Sequence, residues 1–376
     1  MSPSRDINLD NLAAGIESLP GLADVRAAAA RSGARAYLVG GAVRDVLIGD
    51  AEPLDLDLIT IGDPIELAGA LGGDTRSHER FATATVVGPR GRINIAAART
   101  ETYGSPGALP DVELAGKIEA DLARRDFTVN AIAVALDQPG IAIDPHGGAD
   151  DLRAGMLRVL HPSSFLDDPT RALRAARYAA RLELELEPGT RALVEATDLG
   201  SVSSDRAEAE LLRVAAESNA RPAFELLEEW GLIALESEAS ERIDAAVELA
   251  RIEPWADTVR HDELVLAAAR EPSAPVLGLA AGEPRSPSAA VSAAAGFAPV
   301  ELALARVLGA TWLDRYISEW GRVELEISGD DLIAAGVSEG PAIGRGLDAA
   351  LRAKLDGETS GRDDELRLAL DVAETR

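Results

Sequence analysis

The sequence predicts an α+β protein: a head of mixed sheet and helices up to about residue 145, followed by an all-α remainder. Three observations carry this. Between residues 35 and 97, short apolar or alternating segments are separated by connections bearing glycine and proline, as strands joined by tight turns would be. From about residue 150 such segments nearly vanish, and apolar positions recur at helical spacing in 168–182, 189–197, 205–218, 221–230 and 241–252. Hydrophobic residues make up 47% of the chain but aromatics only 3%, so the core must be built from Ala, Leu, Val and Ile, which suits packed helices.

In order along the chain, 12–31 reads as an Ala-rich helix and 36–39 as an apolar strand. A glycine pair follows, then a short helix over 42–48 and a second strand over 54–60. Residues 64–71 look helical, and 82–87 and 92–97 alternate as a strand pair turned by Gly88-Pro89-Arg90-Gly91. Pro and Ser cluster in 271–288, marking an irregular crossing between helices rather than a domain border. The closing stretch has an acidic helix start at Ser328-Gly329-Asp330-Asp331, a glycine break and an amphipathic helix, as a compact helix-turn-helix tail would. At 376 residues the chain exceeds the roughly 100–200 residues of one domain. The division it suggests is a head over 1–145, a helical neck over 146–235, and a helical body and tail over 236–376.

Composition excludes several classes. There is no cysteine, hence no disulfide, thiolate metal site or cysteine nucleophile. The four histidines (78, 146, 161, 261) are too dispersed for a histidine metal site, and Ser163 and Ser164 lack an acid and histidine arranged for a hydrolase. The start, MSPSRDINLD, is polar and acidic where a secretory signal needs a basic start and an apolar run, and no stretch reaches the ~18 apolar residues of a membrane span, so a cytoplasmic protein is expected. The tryptophans at 230, 255, 312 and 320 are expected in the core or at interfaces.

A net charge of −27 argues against general coating of nucleic acid, because the long-range term repels a polyanion. Any such contact has to be local. Residues 121–182 contain eight Asp, eight Arg, no Glu and no Lys, so this window is neutral while the rest carries the whole −27. It is where phosphate contacts are expected.

Four clusters carry chemistry. The first is Leu38-Val39-Gly40-Gly41-Ala42-Val43-Arg44-Asp45, a strand running through two glycines into a helix. Glycines let backbone N–H groups approach a phosphate, and Arg44 adds a fixed cation. The second is Asp55-Leu56-Asp57 on a strand, where residues i and i+2 share a face, so both carboxylates can converge on Mg²⁺ while Leu56 points into the core. Such a pair suits metal-assisted phosphoryl transfer, with two ions about 3.5–4 Å apart acting on the attacking and leaving oxygens. The third is Arg124-Arg125-Asp126-Phe127-Thr128-Val129-Asn130, which combines a cation for a triphosphate with short polar groups able to hydrogen-bond a ribose. The same pattern also fits an ion pair at a helix start. The fourth runs from Asp167 to Tyr178. Asp168-Pro169 has the form of a helix start, and Arg171, Arg174, Arg177 and Arg181 fall within about 120° of one helical face, opposite the alanines. Without interleaved acids this reads as a stripe facing a polyanion.

Together these segments resemble the bacterial tRNA nucleotidyltransferase and poly(A) polymerase family. The matching segments are VGGAVRD (39–45), DLD (55–57), ARRDFTVNAIA (123–133), DPHGGADDLRAG (144–155) and DDPTRALRAARYAARL (167–182), with weaker matches at SSDRAEAELLRV (203–214) and in the tail. The resemblance implies a head similar to DNA polymerase β, a helical neck, body and tail, and CCA addition to tRNA without a nucleic-acid template. It implies that Gly40, Gly41 and Arg44 hold the triphosphate, that Asp55 and Asp57 are the catalytic carboxylates and ligate Mg²⁺, and that Arg125, Asp126 and Asn130 serve the phosphates and ribose. It further implies that Asp168 and Arg171 read the base of ATP or CTP, with Arg174 and Arg177 completing the nucleotide site.

The chain departs from the family pattern where Asn94 stands in place of an acid, which would leave only two carboxylates at the metal. It has Phe81-Ala82-Thr83 for Phe-Gly-Thr, Asp167 for Glu, and Asp205-Arg206 for Glu-Arg. Within this reading the alternatives are addition of A alone, addition of CC alone, poly(A) tailing, and a tRNA-binding relative without catalysis. Nucleotide transfer to a small molecule would not need the long helical half.

Overall fold

A computed structural model of the chain describes residues 10–49, 55–78, 82–88 and 91–374. The stretch 1–9, Leu54, Phe81 and the turn residues Pro89 and Arg90, on which expectations were placed, lie outside the described residues. The chain divides into two compact units, Met1–Val214 with Leu226–Ala234, and Ala215–Glu225 with Leu235–Arg376. The border expected between head and neck falls inside the first.

The first unit opens with α1 (Leu12–Glu17) and α2 (Leu22–Ser32) rather than one helix over 12–31. Pro20 cannot continue a helix, and Gly21 takes φ 82°. β1 (Arg35–Val39), α3 (Gly41–Leu47), β2 (Asp55–Ile61) and α4 (Pro64–Leu71) follow at the expected places. Asp63 caps α4, accepting from the Ile65 N–H at 2.8 Å, with Pro64 at its first position. Then come β3 (Asp74–His78), β4 (Thr83–Gly88), β5 (Gly91–Ala97), β6 (Arg99–Thr102), β7 (Asp111–Leu114), α5 (Ile118–Ala123), β8 (Ala133–Ala135) and β9 (Ala142–Ile143).

Seven of these strands form one mixed sheet in the order β3-β4-β5-β2-β1-β8-β9, and β6 and β7 make a separate hairpin. Only β2 and β5 run parallel; every other neighbouring pair in that sheet is antiparallel. Tyr37, Val39, Ile59 and Ala133 turn one face of the sheet toward Ile118 and Leu122 of α5 in a single apolar cluster. Ile59 shares that face with Asp57 and Asp55, two and four residues earlier on β2. β2 is therefore buried along its second half and alternates at its start, where both aspartates are exposed and Leu56 is buried.

The neck elements α6 (Gly148–Ala154), β10 (Met156–Leu157), α7 (Ser164–Asp167), α8 (Thr170–Leu182), β11 (Glu185–Leu186), α9 (Pro188–Glu195) and α10 (Ser204–Ala215) complete this unit, apart from the part of α11 (Arg221–Glu229) that it shares. α8 buries Ala172, Leu173, Ala175, Ala176, Ala179 and Leu182, the apolar stripe opposite its arginines.

The second unit is helical: α12 (Ala239–Leu249), α13 (His261–Ala269), α14 (Ala274–Ala280), α15 (Pro287–Ala294), α16 (Pro299–Val307), α17 (Leu313–Ser318), α18 (Gly329–Ala334), α19 (Pro341–Leu355) and α20 (Arg362–Glu374). Its core includes Trp255, fully buried, whose indole N–H donates to Asp314 at 2.7 Å. The Pro- and Ser-rich stretch 271–288 is not irregular throughout, since α14 lies inside it and Ser286 caps α15. The tail packs Ile327, Leu332, Ala350 and Ala369 into a small core of its own. Among the described residues no single helix is long and apolar enough to cross a membrane.

Candidate active site

A cleft of about 270 Å³ in the first unit is lined by Gly40, Gly41, Asp57, Glu101, Tyr103, Arg124, Arg125, Asp126, Asn130, Asp168, Arg171, Arg174 and Tyr178. It thus joins residues from all four sequence clusters. A roomier hollow of about 400 Å³ beside α2, β1 and β8, lined in part by alanines, holds none of the candidate residues. Of those candidates, Asp55, Arg44 and Arg177 do not line the cleft. Asp55 is exposed on the same strand face as Asp57, two residues away.

Gly40 sits at φ 70°, ψ −129°, a conformation only glycine adopts readily, and a Cβ there would meet Arg125 Nη1 at 3.0 Å. The glycine thus makes room for Arg125, whose guanidinium donates to the Asn130 carbonyl at 3.4 Å and to Asp121 at 3.1 Å. Arg44, expected at a triphosphate, is instead 2% exposed. It donates to Asp45 Oδ1 from Nε and Nη2, at 2.8 and 2.7 Å, and to Asn130 Oδ1 from Nη1 at 2.6 Å. Its charge is spent inside the protein, holding Asn130 at the cleft. Asn130 in turn donates to Asp126 Oδ1 at 3.1 Å.

The arginines of α8 are not a bare stripe. The acids beside Arg174 and Arg181 come from other elements, which no reading of α8 alone could reveal. Arg174 Nη2 lies 2.6 Å from Asp126 Oδ2, and Arg181 Nη2 lies 3.7 Å from Asp45 Oδ2. Asp126 therefore pairs with Arg174, and Arg125 with Asp121, so the local Arg125–Asp126 pair is not formed. Burial pushes the Asp126 carboxyl up, but Arg174, the Asn130 amide, Arg171 and the Phe127 N–H outweigh it and hold the group below the usual carboxylate range. Asp126, with burial opposing it, holds Arg174 protonated. Arg171 is buried, donating to Ser164 Oγ and to the Arg124 carbonyl, both at 2.8 Å. Ser164 is thus a prop for Arg171.

Asp168 serves two ends at once. Its Oδ1 accepts from the Thr170 N–H and hydroxyl at 3.1 and 2.7 Å, fixing the start of α8, and from Arg206 Nη2 at 2.9 Å. Arg206 also donates from Nη1 to the Gly107 carbonyl at 2.6 Å.

Four lining residues, Glu101, Tyr103, Arg124 and Tyr178, were not among the expected site residues. Glu101 gathers Arg99, Arg124 and the Tyr103 hydroxyl at 3.1, 2.8 and 3.1 Å. Burial and Glu101 push the Tyr103 phenol up to about 12. Tyr178 is ringed by three guanidiniums, Arg177 at 4.7 Å, Arg44 at 5.4 Å and Arg174 at 5.9 Å from its centroid, with Phe127 edge-on at 5.9 Å. The sole sequence sign of this was an aromatic at helical spacing among the arginines.

Among the described residues there is no group of three or more His, Asp or Glu side chains placed to hold a metal. Asp55 and Asp57 nevertheless fit Mg²⁺ by the chemistry of their donors. They are exposed carboxylates on one strand face, and Mg²⁺ takes one or two carboxylates with water and substrate phosphates filling the rest.

Residues 36–158 match the family described as Poly A polymerase head domain. The chain is 42% identical over 206 residues to the A-adding tRNA nucleotidyltransferase of Halalkalibacterium halodurans, covering 51% of this chain and 48% of that protein. It is 35% identical over 343 residues to the CC-adding tRNA nucleotidyltransferase of Deinococcus radiodurans, covering 87% of each. It spans less than half the length of the A-adding relatives, 48% in H. halodurans and 21% in Aquifex aeolicus. Among solved structures, the Thermotoga maritima CCA-adding enzyme complexed with tRNA superposes with a TM-score of 0.66 at 26% identity, covering 93% of this chain and 95% of that one. Complexes of a CCA-adding enzyme with ATP and with CTP give TM-scores of 0.71 and 0.70 at 25% and 26% identity, each covering 93% of this chain and 94% and 95% of the other. The α+β head, the helical remainder and the nearly full-length likeness agree: the chain belongs to the tRNA nucleotidyltransferase family, whose head is the poly(A) polymerase head domain.

Proposed function

We propose that the chain is a cytoplasmic, template-independent, Mg²⁺-dependent nucleotidyltransferase that adds C, A or both, from CTP and ATP, to the 3′ end of tRNA. The observation supporting this is one cleft that combines a carboxylate from a D-x-D strand, a glycine turn and arginines from two separate elements. In this reading Asp55 and Asp57 hold the cation, which when bound activates the RNA 3′-hydroxyl and offsets charge on the leaving pyrophosphate. Gly40 and Gly41 let backbone approach the phosphates, while Arg125 and Arg174 supply cations. Arg44 acts through Asn130, and Arg177 through Tyr178. Asp126 and Asn130 face the ribose. Asp168 accepts from the exocyclic amine of A or C and Arg171 donates to a ring acceptor, a pattern that U and G do not match. The head over 1–145 performs the transfer, 146–235 reads the base, and 236–376 binds tRNA. With a net charge of −27, tRNA contact is confined to local surfaces.

The test is extension of tRNAs ending before the first C or after CC, and of an RNA without tRNA structure, with single NTPs and Mg²⁺. Extension by C, by A, by both in order, or by A on any RNA separates CC-adding, A-adding, CCA-adding and poly(A) activities. Absence of all extension leaves a tRNA-binding protein without catalysis. Asp55→Asn is expected to lower extension about 10³-fold, the several kcal/mol a metal site supplies, while tRNA still binds. Loss of tRNA binding instead would make the pair structural.

A further inference from the structure

Thr85, Asn94 and Asp57 stand directly opposite one another on the adjacent strands β4, β5 and β2. Thr85 Oγ1 donates to Asn94 Oδ1 at 3.2 Å, and Asn94 Nδ2 donates to Asp57 Oδ1 at 3.0 Å. The order of donors is chemically forced. An ionised carboxylate only accepts, so the amide must turn its N–H toward Asp57 and its carbonyl away, where a hydroxyl can donate to it. The flipped amide would set two oxygens against each other at the Asp57 end.

We propose that Asn94 is a positioning residue that orients Asp57 to bind a divalent cation, and that Thr85 fixes the direction of the Asn94 amide. This rests on the reading that Asp55 and Asp57 carry the metal. The physical need is specific to the place. Asp57 is exposed at the open start of β2, without the packing that fixes Ile59 on the same face, so a hydrogen bond to Oδ1 substitutes for packing and leaves Oδ2 for the ion. An acid at position 94 would add a ligand but could not donate to Asp57. The chain has a third polar residue at this position and uses it for orientation rather than charge.

The experiment titrates Mn²⁺ alone into the full chain, reading free Mn²⁺ by electron paramagnetic resonance, alongside kcat and KM for ATP with tRNA. Asn94→Ala and Thr85→Val are expected to weaken Mn²⁺ binding about tenfold, the lower end of what loss of a ligand's supporting partner costs, and to lower kcat with KM little changed. Thr85→Ser, which keeps the hydroxyl, should bind as the parent does. Asp57→Asn separates the two levels of inference. If it leaves Mn²⁺ binding intact, the metal reading itself is wrong. If it abolishes binding while Asn94→Ala and Thr85→Val bind as the parent does, the metal reading stands and the role given to Asn94 is overturned.

Discussion

Arg174 and Asp126 come from α8 and from the segment after α5, and meet with 2.6 Å between Nη2 and Oδ2. Their surroundings differ: Asp126 is 6% exposed, whereas the Arg174 side chain is 34% exposed where it faces the cleft. Breaking such a pair costs most when the buried partner is left charged. Arg174→Ala should therefore destabilise the protein by about 3 kcal/mol, and Asp126→Asn, which keeps an acceptor for the Asn130 amide and the Phe127 N–H, by only about 1 kcal/mol, because solvent reaches the orphaned guanidinium. Urea unfolding of the two variants checks this, and equal losses would contradict it.

Tyr178 keeps three like charges together. Its ring face attracts each guanidinium by about 0.5–2 kcal/mol and separates Arg44, Arg174 and Arg177. Tyr178→Phe retains the ring and should leave KM for the nucleotide within about twofold. Tyr178→Leu should raise it about tenfold, the equivalent of one such contact. Steady-state kinetics with each NTP distinguishes them.

Arg206 fastens the carboxylate expected to read the base. With Asp168 Oδ1 held by Thr170 and Arg206, removing Arg206 frees part of that grip without removing the acceptor. Asp168→Ala should erode preference for ATP and CTP over GTP and UTP by about 10–100-fold, and Arg206→Ala by about tenfold at most. Ratios of kcat/KM for the four nucleotides give the answer, and a larger effect from Arg206→Ala would reverse the assignment.

His161 sits 3.9 Å from Asp167, in a small hollow that Arg171, Tyr103 and Arg124 also line. Burial and then Arg171 pull its imidazole below the ordinary histidine value, with Asp167 opposing. The unfolded chain then takes up a proton at this position at higher pH than the folded chain does. The stability it contributes is full above about pH 6.5 and is lost as pH falls through the lower folded value. His161→Gln should flatten this part of the profile. Melting temperatures between pH 7 and pH 5 should fall less for the variant than for the parent.

Much of the fold was legible because its signals are local. α4 carries its own cap and proline, α8 its own apolar stripe, and β1 and β2 their own apolar runs. The elements missed lack such signals. β3 is exposed at every residue, so no alternation marks it; β6 and β7 are short and largely exposed, and β8 has only three residues. The helix read over 12–31 was over-extended because Ala-rich spacing outweighed one Pro-Gly step.

By itself the sequence determined the local elements that carry the candidate residues. Gly40, Asp57, Arg125, Asp168 and Arg171 stand in short ordered motifs, and each motif dictates its own strand, turn or helix start. Only the tertiary structure decided whom each one faces. Arg44 finds Asn130 86 residues away, Asp57 finds Asn94 37 residues away, and Arg174 and Arg181 find acids on other elements. Periodicity and capping act within a few turns of chain, whereas the partner of a buried charge is set by which surfaces the packed sheet and helices bring to within about 3 Å, a property of the whole unit.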